Sequence, residues 1–255
     1  MLRSATNVIR RIRESVLYRL QWAKLGIFYI RRPRLQIIRI AGGRVPLSFP
    51  EKERAIHEHE FGRIFFEDCY RLTSIDEPVR TVLDIGANIG LFTLAARRQF
   101  TKAEIHCYEP NPSVLDHLRS HCASVGAHLN EAAVGKISGE VSLEHAGNSL
   151  HSVTKVMAGG GIRLESFSSV IASIGNVDLL KLDCEGAEWD IFQCNDAWQR
   201  VRSLAMEYHL WAKPGSTTDC LRQQLSDLGF SQIDIEPSPN GPWGFAFASR
   251  LTSRT

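Results

Sequence analysis

The chain has 255 residues, 44% hydrophobic and 23% charged, with a formal charge of +2; this is ordinary globular composition, long enough for one large α/β domain with an appendage or two small domains. The longest run without Asp, Glu, Lys or Arg covers residues 237–249, short of the roughly 20 apolar residues of a spanning helix. Arginines break up the apolar residues near Met1, against a signal peptide, and six scattered cysteines without a CxxC pair point to a reduced, cytoplasmic protein without a cysteine zinc site.

Residues 1–44 carry ten arginines and Lys24 against the single acid Glu14, a net +10, whereas residues 45–255 carry −8. Within that basic head, residues 5–30 read as an amphipathic helix. Ile9, Ile12, Val16 and Leu20 recur at steps of three and four, with Arg10, Arg13 and Arg19 off the stripe. Such a helix suits peripheral contact with an anionic membrane, or it packs on the acidic body of its own chain. Pro33 ends it. Residues 34–40 alternate like a strand, and Gly42 and Gly43 allow a tight turn into VPLSF, so a hairpin is expected. Residues 51–70 have helical spacing at Ile56, Phe61, Ile64 and Phe65. His57 and His59 lie there among Glu53 and Glu60; this is read as a solvated charged face rather than a metal site. The polar joint 74–78 divides an N-terminal helical and hairpin extension, 1–78, from a second domain, 79–255.

After Pro78 strands alternate with helices. TVLDIG is a strand and residues 91–100 a helix. EIHCYEP is a second strand, stopped by Pro110, and residues 113–124 a second helix. HLNEAAV reads as a third strand, and EVSLEH as a fourth that pairs locally. A glycine-rich loop covers 157–161 and a helix 167–174. VDLLKLD is an apolar strand, residues 188–198 a helix, SLAMEYH a strand and residues 217–228 a helix. Two strands near 232–236 and 244–249 close the chain as an antiparallel pair. The pattern predicts an α/β fold: a doubly wound, mostly parallel sheet with helices on both faces.

Four acids end four of these strands. Asp84 opens Asp84-x-Gly86-x-Asn88-x-Gly90, a strand-to-helix turn in which glycines let backbone approach a ligand. The turn lacks the G-x-G-x-x-G of dinucleotide sites. Glu109 ends the next strand, where a carboxylate can accept hydrogen bonds from both hydroxyls of a ribose. Pro110, Asn111 and Pro112 delay the following helix. Asp183 ends a third strand and is followed by Glu185, Gly186 and Glu188. Glu207 and His209 end a fourth. Parallel pairing would gather these acids at one sheet edge, where crowded carboxylates repel unless a ligand or cation compensates.

VLDIGANIGLFT, CYEPNP, NEAAVG, LKLDCEGAEWDIF and MEYH, in that order over residues 81–209, resemble the FkbM family of S-adenosylmethionine-dependent methyltransferases. The resemblance implies a class I methyltransferase-like (Rossmann-like) fold. It also implies that Asp84 and residues Gly86, Ala87, Asn88 and Gly90 line the methionine end of S-adenosylmethionine, with Asn88 and Thr93 as polar contacts. Glu109, with Pro110 and Asn111, would hold the ribose. Glu131, Ala132 and Ala133 would flank the adenine, and Asp183 would stand near the transferred methyl. Cys184 departs from the Ile or Val expected between Asp183 and Glu185, and is still small and apolar.

A hydroxyl acceptor needs its proton removed, and Asp183, His209 and Glu207 are the catalytic candidates. Glu185 and Glu188 either fix the loop or bind a cation; a required metal is not expected. Trp211 and Trp243 are candidate walls of an acceptor pocket. The leading reading is an O-methyltransferase acting on a hydroxyl of a sugar, glycan or secondary metabolite. The alternatives are a carboxyl methyltransferase, an RNA-binding methyltransferase suggested by the arginine-rich head, and a non-catalytic cofactor-binding protein. The acidic body and the absence of a (D/N)PP(Y/F) motif weigh against nucleic acid.

Overall fold

The computed structural model describes Leu20, residues 23–25, 36–145, 152–156 and 161–251. All but four positions of the helix read over residues 5–30 lie outside the described residues, and with them the proposed membrane contact. Most of the glycine-rich loop 157–161 lies outside them too.

Strand β1 (Ile37–Ile40) pairs antiparallel with β2 (Gly43–Pro46) through a turn at Ala41 and Gly42. Alternation buries Ile38, Ile40 and Val45. Helix α1 covers Arg54–Phe65. It is shorter than the spacing predicted, because Glu51–Glu53 forms a 3-10 turn and Asp68 takes a left-handed conformation beyond its end. Its inner face carries Phe61, Ile64 and His57. The expectation of a solvated face therefore fails at His57, which is 1% exposed.

The main sheet holds seven strands: β3 (Thr81–Ile85), β4 (Glu104–Tyr108), β5 (His128–Asn130), β10 (Val177–Leu182), β11 (Val201–His209), β12 (Gln232–Pro237) and β13 (Trp243–Ser249). Their order across it is β12-β13-β11-β10-β3-β4-β5. The run from β5 to β11 is parallel, and β13 is antiparallel to both of its neighbours. Between β5 and β10, a smaller sheet is built from β6 (Ala133–Gly135), β7 (Gly139–His145), β8 (Ser152–Val156) and β9 (Ile162–Ser166).

Period-two alternation sends neighbouring side chains of each parallel strand to opposite faces. Val82, Ile105, Cys107 and Leu179 join one core, with α2 (Leu91–Gln99), α3 (Leu115–Val125), α1 and the hairpin. Leu83, Ile85, Leu180, Leu182, Leu204 and Met206 join the other. That face is covered by α4 (Phe167–Ile174), α5 (Glu188–Ile191), α6 (Asn195–Trp198) and α7 (Thr218–Asp227). Each such buried side chain contributes about 1.5–3 kcal/mol. The doubly wound sheet with antiparallel closing strands is thus present. Among the described residues, no helix is long and apolar enough to cross a membrane.

Two elements differ from expectation. HLNEAAV is not one strand: the Ala132 N–H turns back to the Asn130 carbonyl (3.0 Å), and the two halves, β5 and β6, enter different sheets. The helix expected over 188–198 is broken into α5 and α6. At the break the Ile191 carbonyl accepts from the Trp198 indole N–H (3.0 Å), so a buried tryptophan takes an acceptor near the end of α5.

Candidate active site

The chain runs from β3 outward to β4 and β5, then returns to the other side of β3 as β10. Ligands of such sheets bind outside the strands' carboxyl ends at this switch point. Here a cleft is lined by residues 85–89, Tyr108, Glu109, Pro110, Lys181 and Asp183, among others.

The glycine turn is joined to both neighbouring strands. The N–H groups of Gly86 and Ala87 donate to the Tyr108 carbonyl (3.0 and 3.1 Å), and Asp183 N–H donates to the Ile85 carbonyl (3.1 Å). Gly86 has φ +77°, and a Cβ there would fall 1.7 Å from the Asp183 carbonyl oxygen. Only glycine fits that approach. Gly90 serves packing instead: at φ +87°, its Cβ would meet Leu118 of α3 at 2.8 Å.

Glu109 is 7% exposed. Its two carboxylate oxygens accept the N–H groups of Asn88 (2.7 Å) and Asn111 (2.8 Å). Burial pushes its carboxyl up to about 7, against the pull of those two bonds. A carboxylate offers about four acceptor sites, so two remain for a ligand. Toward β6 the cleft is walled by Tyr108, Ala132, Ala133, Val134 and Leu143, an apolar slot with room beside the two alanines.

Beneath the turn lies a buried polar group. Thr93 Oγ1 donates to Asp84 Oδ2 (2.7 Å), and both residues are fully buried. Lys181 Nζ lies 3.4 Å from Asp84 Oδ1 and 3.6 Å from Asp183 Oδ2, and it donates to the Gly86 carbonyl. Burial opposes its charge, but Asp84, Asp183 and Glu109 outweigh burial and hold Lys181 above the ordinary lysine range. The Tyr70 hydroxyl donates to Asp183 Oδ2 (3.0 Å). Asp183 therefore stands at the cleft wall with a lysine and a tyrosine fixing its side chain.

A second, wider groove meets the cleft at Glu60, Asp183 and Glu185 and runs past Arg63, Glu207, His209, Trp211, Trp243 and Phe245. His209 is 4% exposed. Its Nδ1 lies 3.1 Å from Glu188 Oε1, and its Nε2 lies 3.6 Å from Glu185 Oε2 and 3.8 Å from Glu207 Oε1. Burial first, then the charge of Asp183, pushes the carboxyls of Glu185 and Glu207 up to about 8. Burial lowers His209, but Glu188, Asp183 and Glu185 outweigh it and raise the imidazole to about 9.

The expected residues thus divide. Gly86, Ala87, Asn88, Glu109, Pro110, Ala132, Ala133 and Asp183 line the cleft, and Asp183, Glu207 and His209 line the groove. Trp211 and Trp243 are groove walls, as read from the sequence. Thr93 and Asp84 are corrected in place. They are buried under the turn as its support, because the Thr93 hydroxyl answers the Asp84 carboxylate. Asn111 is also buried; its backbone N–H serves Glu109, and its side chain accepts from Ser113 (3.0 Å). Glu131 points to the surface, paired with Arg119 (2.6 Å), and does not line the cleft.

Sequence reasoning passed over Tyr70 and Lys181, and it read His57 as part of a solvated face whereas His57 lines the cleft. Lys181 had a signal: a lysine inside the apolar strand VDLLKL requires buried anionic partners. Tyr70 had none, since it reaches the site from outside the motif-bearing segment.

His121 of α3, fully buried, ties the N-terminal hairpin to the turn. Its Nδ1 bonds the Ile89 carbonyl, and its Nε2 accepts the Ser48 N–H (2.9 Å), so the neutral ring carries its proton on Nδ1. Burial lowers its pKa to about 4, against the bond to Ile89. The unfolded chain, with an ordinary histidine near 6.5, takes up the proton first. The stability this residue contributes is complete above about pH 6.5 and is lost as pH falls through about 4, a loss of roughly 2–3 kcal/mol. Denaturant midpoints of wild type and His121→Gln between these limits check this. The variant is expected to show a shallower acid limb, and identical limbs would contradict the assignment.

A family model described as the Methyltransferase FkbM domain matches residues 84–232, from Asp84 of β3 to the first residue of β12. Methyltransferase sdnD of Sordaria araneosa is 25% identical, over 67% of this chain and 80% of its own length. Hexuronic acid methyltransferase AglP of Haloferax volcanii is 26% identical, over 62% and 68%. The 31-O-demethyl-FK506 methyltransferase FkbM of Streptomyces tacrolimicus is 25% identical, over 58% and 73%. The matched segment carries the glycine turn, Glu109, Asp183, Glu207 and His209, and the chain belongs to the FkbM family of S-adenosylmethionine-dependent methyltransferases.

Proposed function

We propose that this methyltransferase acts on a hydroxyl of a sugar, glycan or related metabolite, with the cofactor in the cleft and the acceptor in the groove. The observation that carries the reading is the junction of the two at Asp183 and Glu185. The cleft suits the cofactor: Gly86 brings backbone against the site where a Cβ would collide, Glu109 keeps acceptor sites for a ribose, and Ala132 and Ala133 leave space for a ring. When bound, the cofactor supplies an electrophilic sulfonium methyl.

The groove supports a hydroxylated acceptor. Trp211, Trp243 and Phe245 offer apolar faces, and Glu60, Asp183, Glu185 and Glu207 offer acceptors for hydroxyl protons. Asp183, braced by Tyr70 and Lys181, orients the acceptor hydroxyl. Glu207, whose carboxyl is raised to about 8, stands beside it to take its proton, with the His209 imidazole 3.8 Å from that carboxylate as its neighbour. An acceptor held in line gains much of its rate from alignment alone. The names of the relatives, among them a hexuronic acid methyltransferase, suit an oxygen acceptor on a sugar-like molecule.

The test is to supply methyl-labelled S-adenosylmethionine and an extract of small molecules and glycans from the source cells, then treat the labelled product with mild alkali. A methyl ether keeps its label, which is the expected outcome. Label released as methanol marks a methyl ester and would replace this reading with carboxyl methylation.

A further inference from the structure

We propose that Asp183, Glu185 and His209 form a binding site for a first-row divalent cation of the manganese-to-zinc class, at the point where cleft and groove meet. One donor atom from each of the three lies within 4.8 Å of the others. An ion about 2.0–2.2 Å from each donor holds such atoms up to roughly 4.4 Å apart, so small side-chain rotations close the site.

The second observation is the setting of His209. The imidazole is more than nine-tenths buried at the end of β11. Its Nδ1 is engaged by Glu188, which is itself buried and held by the Cys184 N–H (3.0 Å). That leaves Nε2 directed at carboxylates of Glu185 and Glu207 from beyond hydrogen-bond distance. With one proton kept on Nδ1 toward Glu188, the ring can give up its Nε2 proton to an ion, which then takes that proton's place among the same carboxylates. A carboxylate on the far nitrogen is also what orients most metal-binding histidines. Asp183 and Glu185 follow β10 and His209 ends β11, and the parallel pairing of the two strands brings them together.

The donor set indicates the metal. One imidazole with two carboxylates suits first-row transition ions better than calcium or magnesium, which favour oxygen alone. An ion there has open positions facing the groove, where an acceptor oxygen would sit. With His209 as its ligand, Glu207 remains as the proton acceptor. That use rests on the function proposed above, but binding of the ion does not.

The experiment is a titration of the full chain, stripped with EDTA and dialysed, with Mn²⁺ followed by its EPR signal. One Mn²⁺ is expected to bind per chain, with affinity falling about tenfold or more in His209→Ala and in Glu185→Gln. Glu104→Gln, at the opposite edge of the sheet, serves as the control and keeps wild-type affinity. Calorimetry with S-adenosylhomocysteine on the same variants reports that the fold and the cofactor cleft are intact. Absence of stoichiometric Mn²⁺ binding to wild type, or binding that ignores both substitutions, would overturn the site. No acceptor or turnover enters the measurement, so a labelled methyl ester in the alkali test leaves this result untouched.

Discussion

Gly86→Ala is expected to cost at least about 3 kcal/mol of stability, or to prevent recovery of folded protein. Two effects add. The residue has φ +77°, a region that costs L-residues roughly 1–2 kcal/mol. The new Cβ would also fall 1.7 Å from the Asp183 carbonyl oxygen, a backbone atom that cannot rotate away. Relief requires the ends of β3 and β10 to separate, which opens the cleft at the point where cofactor and acceptor meet. Gly42→Ala isolates the first effect. It has a similar φ of +82° but nothing within 4 Å of the added carbon, so it should lose only the backbone contribution. Denaturant unfolding of both variants is the measurement. Equal losses at the two positions would show that the close approach at Gly86 is not tight.

The second large effect belongs to Asp183→Asn. The amide keeps the shape but removes the charge that faces Lys181 and weakens the acceptor for the Tyr70 hydroxyl. Asp84 still compensates Lys181 from below, so the fold should survive. Turnover on the true acceptor is expected to fall by about 10² through loss of alignment, with a much smaller change in affinity for S-adenosylhomocysteine. That split marks a group acting on the reacting atoms rather than on ground-state binding. Wild-type turnover, or equal losses in turnover and cofactor affinity, would remove Asp183 from the reaction.

The parallel strands were legible because each is a short apolar run ending in an acid or glycine, with helical spacing between them. Those ends carry the candidate site, so Gly86, Glu109, Asp183 and His209 are legible as candidates in the sequence. What could not be read was set by tertiary contact. Thr93 sits one turn into α2 and looks available to a ligand, yet it faces Asp84 in the interior. Glu131 follows a strand, but Arg119 of α3 draws it outward. β8 and β9 carry no terminal signal, and the smaller sheet they join comes from a chain reversal that alternation alone does not mark. Tyr70 and His57 reach the cleft because the N-terminal segment packs on α2, a contact without local pattern. The His209–Glu188 pair joins two elements 21 residues apart.

The account stands on the cofactor occupying the cleft with its ribose on Glu109. Calorimetric titration of S-adenosylhomocysteine into wild type and Glu109→Ala tests this most directly. The substitution removes the carboxylate that accepts from Asn88 and Asn111 as well as its remaining acceptor sites. Charge-assisted bonds of this kind are worth roughly 1.5–3 kcal/mol, so affinity should fall about 10- to 150-fold. Unchanged affinity in Glu109→Ala, with wild type binding normally, would contradict the placement of the cofactor.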